Sequence, residues 1–500
     1  MADIRIDFSK TVGPMKPLHG VNSGPKTKVF TYNSTPYFRE AEIPFSRLHD
    51  IEYPYGSGEF VDIHCVFPDF DADENDPASY NFGLTDLYIE AILAAGTGVI
   101  YRLGESIEHA PVKRYIHPPK DFAKWARIAE HIIRHYNEGW ADGHRWNIRY
   151  WEIWNEPDLD ASSYEFNPRC WGGTPEQFAD FYETAAKHLK ACFPDRMIGG
   201  PAVSGNRNWT NDFLRTMHDR GVPMDFFSWH IYTADPEKIR EAAGYFRSLA
   251  DHYGYTETEM LLDEWNYMES WSNQPPSFRT LISSRGACFC AASLITMQKS
   301  PVDLAAYFEA DVVKEWCGLF RVDDMAIGTY EESSVFRRPP FHAFCAFNEL
   351  YVLGNEVFSE SDLPGCYVCA ASNGPNSGAM ITFYPMSASG FDNPLYGMKN
   401  ILLSGLPEEG CTISLYRSAR VPGPGEDRMN QELSLRLTAD QEICTFSLPV
   451  CGDEIWQIEI TAKGARPSSE RVLKTEEELL AEFEESCDED SDPDDWSDEE

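Results

Sequence analysis

Two glutamates 108 residues apart carry the clearest chemical signal in this 500-residue sequence. Glu156 closes the aromatic run RYWEIWNEPDL (Arg149–Leu159), where Pro157 stops a strand and stiffens the turn. Glu264 sits near the end of EMLLDEWNYM, residues 259–268. Two carboxylates facing each other across a pocket can divide the work of breaking a glycosidic bond. One protonates the leaving oxygen, and the other attacks the anomeric carbon or activates water to do so. A separation of about 5–5.5 Å between the carboxyl groups gives retention of configuration, and roughly 6.5–9.5 Å gives inversion. An arbitrary glutamate at a strand end is more often a solvated loop residue. The reading therefore depends on the elements that place these two.

Those elements recur from about Pro17 to Ala310 as short apolar strands followed by amphipathic helices. Eight strands are predicted, at 17–25, 45–50, 98–109, 148–158, 197–205, 225–234, 259–268 and 303–311. Helices are predicted at 85–96, 119–139 and 174–194, and further ones near 237–252 and 277–299; only the first crossover, 26–44, lacks a clear helix. The helix at 174–194 opens on Thr, Pro and Glu, a sound start. Eight strands alternating with helices over this length predict a closed (β/α)8 barrel, an α/β fold, spanning 13–350. In such a barrel catalytic groups stand at the C-terminal ends of the strands, and the fourth and seventh strands face each other across the mouth. Glu156 and Glu264 occupy those two places. After about Phe358 short alternating strands separated by Gly, Pro, Asn and Asp predict an antiparallel β-sandwich. It would span 351–465 and include 1–12, where DIRIDFS alternates in the same way. Residues 466–500 are acidic and poor in apolar side chains. They predict a disordered tail with a short helix at 475–486.

The residues around the pair have a family likeness. PLHGVNSGP, the RLHD of the second strand, WNEPD after the fourth, SWHIY in the sixth and a second glutamate after the seventh resemble the clan A retaining glycoside hydrolases, and most closely glycoside hydrolase family 39. That family includes β-xylosidases and α-L-iduronidases. The likeness covers about residues 3–460. It implies a retaining exo-glycosidase on short oligosaccharides, β-xylosidase-like, with Glu156 as acid/base and Glu264 as nucleophile. α-L-arabinofuranoside- or galactoside-releasing enzymes are the alternative within the class, and a catalytically dead carbohydrate-binding barrel the alternative outside it. The resemblance further implies that Asn155 bonds the sugar 2-hydroxyl, that His49 and Glu309 contact other hydroxyls, and that the enzyme is a homo-oligomer. His230 and Tyr232, two apart on one strand, share a face directed at the pocket. The third strand ends RLGESIEH, outside the β-xylosidase pattern. Its Arg102, Glu105 and Glu108 add charge at the mouth, and Glu105 becomes a candidate for sugar selection. Trp265 and Trp316 are candidates for stacking on sugar.

Charge and motifs exclude other classes. The net charge is −39, and the segment 476–500 alone holds 15 acidic residues and no basic one. Such a surface repels nucleic acid and anionic membranes. No run approaches the ~20 apolar residues of a bilayer span. The first residues lack a signal-peptide core and the 13 cysteines are scattered, which predicts a cytoplasmic protein with reduced thiols. No strand leads into a phosphate-binding glycine motif, so no cofactor is expected. No metal is expected either. HIIRH (131–135) lacks the inner glutamate of a zinc helix, CYVC (366–369) lacks a second pair, and DFDADEND (69–76) lacks the spacing of a calcium loop.

Overall fold

Eight parallel strands close into a barrel in chain order: β2 (Gly20–Asn22), β3 (Phe45–Leu48), β4 (Gly98–Leu103), β5 (Tyr150–Ile153), β6 (Met197–Val203), β7 (Phe226–Tyr232), β8 (Glu259–Asn266) and β9 (Leu304–Tyr307). They are the eight strands expected, and β2 pairs with β9 to complete the ring. This computed structural model describes residues 2–25, 33–51, 59–160, 167–310, 317–322, 335–385, 395–421 and 428–485.

The outer helices form where sequence and burial agree. In Phe122–Asn137 the residues Trp125, Ile128, Ala129, Ile132, Ile133 and Tyr136 recur at three-to-four spacing and are all buried, and Asp121 caps the start. Helix Pro175–Cys192 opens on a reciprocal capping box: Thr174 accepts from the Gln177 amide while the Gln177 side chain accepts from the Thr174 amide. Two expectations need correction. The first crossover does contain a helix, the short Thr35–Glu40. The single helix expected at 277–299 is two, Gln274–Leu281 and Ser284–Gln298, because Ser283 caps a new start. A further helix, Arg207–Asp219, follows β6.

The second sheet begins with β1 (Ile4–Pro14). After the small hairpin β10 (Phe320–Val322) and β11 (Val335–Arg337), it continues through β12 (Asn355–Ser361), β13 (Cys366–Ser372), β14 (Asn376–Phe383), β15 (Gly397–Ser404), β16 (Cys411–Arg420), β17 (Met429–Ala439), β18 (Ile443–Val450) and β19 (Glu454–Ala462). Its order is β17-β16-β19-β14-β13-β12-β1-β15-β18. The two edge strands, β17 and β18, are consecutive in the chain and joined by residues 440–442 alone. So short a link holds the edges together, and the sheet rolls almost closed. The antiparallel expectation is corrected at one place: β1 runs parallel to β15, so the sheet is mixed. Its core is Ile4, Ile6, Val357, Ile381, Ile413, Leu415, Trp456 and Ile458 with their neighbours.

Helix Ser284–Gln298 is buried along its whole length, packed between the barrel and strands β13, β14 and β19. That position explains an apolar composition that a one-sided surface helix would not have. Among the described residues no single helix is long and apolar enough to cross a membrane. The expected disorder from 466 is narrowed: helix Glu476–Glu485 packs on helix Gly83–Ala94, and Arg471 pairs with Glu42 and Glu349. Residues 486–500 lie outside the described residues.

Candidate active site

The mouth of the barrel is built in two charged layers. The lower one centres on Arg47 of β3, which has no solvent exposure. Its Nε lies 2.8 Å from Glu152 Oε2 and 3.1 Å from Asp263 Oδ2. Its Nη1 donates to Asn22 at 3.1 Å and to Glu264 Oε2 at 3.4 Å, and its Nη2 donates to Asn155 Oδ1 at 2.7 Å. One guanidinium thus braces groups from β2, β5, the turn after β5, and β8. Burial works against its charge, and Glu152, Asp263 and Glu264 outweigh that. Burial also pushes Glu152 up to about 8, with Arg47 opposing and Asp263 adding to the rise. Burial would raise Asp263 too, but Arg47 holds it well below the usual carboxylate range. Glu152 therefore keeps its proton at neutral pH and Asp263 does not.

Asp263 and Glu264 are adjacent, yet both reach Arg47. Regular alternation would send them to opposite faces. The pairing with both neighbours explains this: Trp229 aligns with Leu262 and His230 with Glu264, and the register also slips against β9. Asp263 is the extra residue of a bulge, and the bulge turns two successive acids inward.

The upper layer holds the two glutamates. On Glu264, Oε1 accepts from the Tyr232 hydroxyl at 2.5 Å, and Oε2 lies 3.5 Å from His230 Nδ1 and 3.9 Å from His49 Nε2. Glu156 Oε1 accepts from His230 Nδ1 at 2.8 Å. An oxygen of Glu156, an oxygen of Glu264 and a ring nitrogen of His230 all lie within 4.8 Å of one another. Burial opposes a charge on His230, but Glu264, Asp263 and Glu156 surround the ring and raise it well above its ordinary value. Burial keeps His49 well below its own. Glu264 is raised, first by burial and then by the charge of Glu156, with His230, Arg47 and Tyr232 pulling the other way.

Local backbone makes the Glu156 position. Trp154 and Glu156 both have left-handed φ, +74° and +44°. For a bulky residue that conformation is strained and has to be held by its surroundings. The Trp154 amide donates to Leu103 O and the Glu156 amide to Ala202 O. The Trp154 ring fits because residue 104 is glycine: a Cβ there would stand 2.9 Å from it.

Of the expected site residues, His49, Asn155, His230 and Tyr232 converge with the two glutamates. Glu105 has a different neighbourhood: it is buried and 2.5 Å from His64 Nδ1, whose ring stacks on Tyr115. Burial raises Glu105 to about 7 against the pull of His64. Arg102 does not pair with Glu105 or Glu108. It bonds Asp62 and Ser106, and Glu108 accepts from the amides of Arg114 and Tyr115. Glu309 is wholly buried, with Ser23 and Cys317 donating to its carboxylate. Trp265 offers no face to a sugar. It is fully buried in the wall against Phe289 and Tyr307. Trp316 lies outside the described residues. Sequence reasoning missed Arg47, Glu152 and Asp263. Their signal was charge inside a largely apolar strand, as in FSRL, YWEI and MLLDEW.

A (β/α)8 barrel that holds two buried glutamates on opposite strands, each with its own hydrogen-bond partner, defines a glycoside hydrolase. The chain belongs to glycosyl hydrolases family 39, whose profile matches residues 4–349. A beta-xylosidase from Geobacillus stearothermophilus is 25% identical over 335 residues, which are 61% of this chain and 62% of that one. A beta-xylosidase from Caldicellulosiruptor saccharolyticus is 29% identical over 150 residues, 30% of this chain and 27% of that protein. The chain thus spans less than two thirds of either curated relative. Among solved structures, a glucosidase from Croceicoccus marinus superposes with a TM-score of 0.69 at 24% identity, covering 92% of this chain and 99% of that one. The GH39 enzyme from Xanthomonas axonopodis pv. citri gives 0.65 at 16% identity, covering 92% and 97%. These two likenesses concern the fold.

Proposed function

We propose that the chain is a retaining, exo-acting β-xylosidase-like glycosidase working by double displacement on short oligosaccharides. The observation that carries this reading is the approach of Glu156 and Glu264 to within 4.8 Å. So close an approach of one oxygen from each favours a nucleophile beside an acid/base over the wider separation, roughly 6.5–9.5 Å, of an inverting pair. Glu264 attacks the anomeric carbon while Glu156 protonates the leaving oxygen. Glu156 then takes a proton from the water that cleaves the glycosyl-enzyme. The charges support this division. Arg47 and His230 stand as counter-charges to Asp263 and Glu264, which favours a carboxylate at the nucleophile. The Asn155 Oδ1 is held by Arg47, and its buried Nδ2 has no partner among the described residues, which leaves that donor for a sugar hydroxyl. The pentose preference rests on the two relatives named beta-xylosidase.

Glu264→Ala should lower hydrolysis of an aryl β-xyloside by roughly ten-thousandfold. Added azide should then yield the α-xylosyl azide, read by NMR. Activity equal to wild type, or a β-configured azide, overturns the assignment of the nucleophile.

A further inference from the structure

Away from the mouth, three groups converge in the helical layer. Asp86 comes from the first turn of helix Gly83–Ala94, His135 from the last turn of Phe122–Asn137, and His144 from the connection 138–149 that leads into β5. His135 is buried and its ring is fixed, stacked on Phe82 with centroids 3.6 Å apart. Its Nδ1 faces the Trp140 carbonyl at 2.9 Å. A carbonyl only accepts, so Nδ1 carries a proton and Nε2 is the nitrogen turned outward. Nε2 lies 3.0 Å from Asp86 Oδ1, which also accepts from the Tyr136 hydroxyl.

His144 joins them, its Nε2 approaching the other oxygen of the same carboxylate at 3.7 Å. One ligand atom from each of the three residues lies within 4.8 Å of the others. The loop is shaped to bring His144 there. Ala141, Asp142 and Asn147 all take left-handed φ, at 58°, 53° and 50°, a conformation unfavourable for non-glycine residues. Gly143 lies so close that a Cβ would meet the His135 carbonyl at 2.2 Å. The His144 ring is then stacked on Trp146 at 3.6 Å.

We propose that Asp86, His135 and His144 bind a divalent first-row cation of the zinc class. Two imidazoles and one carboxylate suit zinc and disfavour magnesium or calcium, which take oxygen sets. Ligands at about 2.0–2.2 Å around a tetrahedral ion stand roughly 3.3–3.5 Å apart. The three ligand atoms, within 4.8 Å of one another, need only a small closure to reach that spacing. Asp86 and His144 are partly exposed, so water can fill a fourth position. Tyr136 on the carboxylate and the Trp140 carbonyl on His135 Nδ1 are the outer partners that orient such ligands. The ion would pin the 138–149 connection to two helices, immediately before the strand that leads to Glu156.

The test uses the full chain, stripped with a chelator and desalted. Titration with zinc chloride should raise the melting temperature, and metal analysis should find about one zinc per chain. His144→Ala should lose both effects while its hydrolytic activity below the melting temperature stays at the wild-type level. His188→Ala is the control, because Glu130, His188 and Cys192 form another cluster able to take zinc. This variant should keep both effects. Should His144→Ala fail to fold, Asp86→Asn, which preserves shape, takes its place. Wild-type protein without bound zinc and with an unshifted melting temperature overturns the proposal. So does a His144→Ala or Asp86→Asn protein that binds zinc as wild type does, or loss of the zinc in His188→Ala.

Discussion

The barrel mouth and the nine-stranded sheet both bury strand residues, but they differ in the charge they enclose. In the mouth, Arg47 and Asp263 have no exposure at all and must neutralise each other out of contact with water. In the sheet the interior is aliphatic and aromatic. Its most deeply buried charge, Glu454, is joined at 2.6 Å to Arg417, which is 28% exposed. There one partner keeps its hydration. A dry ion pair is weak evidence for stability, because desolvation offsets its attraction and an apolar replacement often does as well. The sheet follows the stabilising solution. The mouth departs from it where a carboxylate has to be held ionised beside a second acid, so its charges are explained by chemistry.

The sharpest way to break that contrast is to remove the cation at its centre. Arg47→Met keeps an unbranched stem but leaves Asp263 and Glu264 without their counter-charge. Stability should fall by about 3–5 kcal/mol, measured by denaturant unfolding, because an uncompensated buried charge remains. Activity should fall as well, since Asn155 and Glu264 lose a brace. A variant as stable as the wild type would show that the acids simply take up protons, and the two regions would then differ less than their contacts indicate.

The matching change in the sheet is Ile413→Ala, a fully buried residue of β16. A cavity of this kind should cost roughly 2–5 kcal/mol. Below the melting temperature kcat and KM should remain those of the wild type, because the core of the sheet is separate from the mouth. A lowered kcat in folded protein would mean that packing in the sheet sets the geometry of the glutamates.

How far the sequence discloses the site depends on which geometry each residue needs. Glu156 and Glu264 are legible because a strand end is a local feature. So are His230 and Tyr232, because a period of two is all their shared face requires. Asp263 is not, since the bulge that turns it inward shows only when β8 is aligned with β7 and β9. Arg47 and Glu152 are hidden differently: in a strand apolar throughout, nothing local says which face is the lumen. Trp265 fails for the same reason in reverse, as its ring faces the outer wall. The eight barrel strands are legible through their repeated alternation with helices. The parallel pairing of β1 with β15 is not, because it joins segments almost 400 residues apart and leaves no local trace.

The smallest of these effects also resolves the mouth most finely. Tyr232 donates to Glu264 Oε1, and a hydrogen bond to the charged form favours that form. Burial already places Glu264 above an ordinary glutamate, and Tyr232 is one of the groups pulling it back. The working form of a nucleophile is the carboxylate. Tyr232→Phe should therefore raise the pKa of Glu264 further, lower the ionised fraction at any given pH, and move the acid limb of kcat/KM to higher pH. The basic limb should stay in place. The rate at the optimum should drop about 10- to 100-fold, the equivalent of roughly 1.5–3 kcal/mol for a bond to a charged group. A full pH profile of kcat/KM separates this from a packing effect, which would lower the curve without displacing one limb. An acid limb that moves to lower pH would mean that the tyrosine does not support the carboxylate, and would leave Arg47 and His230 as the groups that keep it ionised.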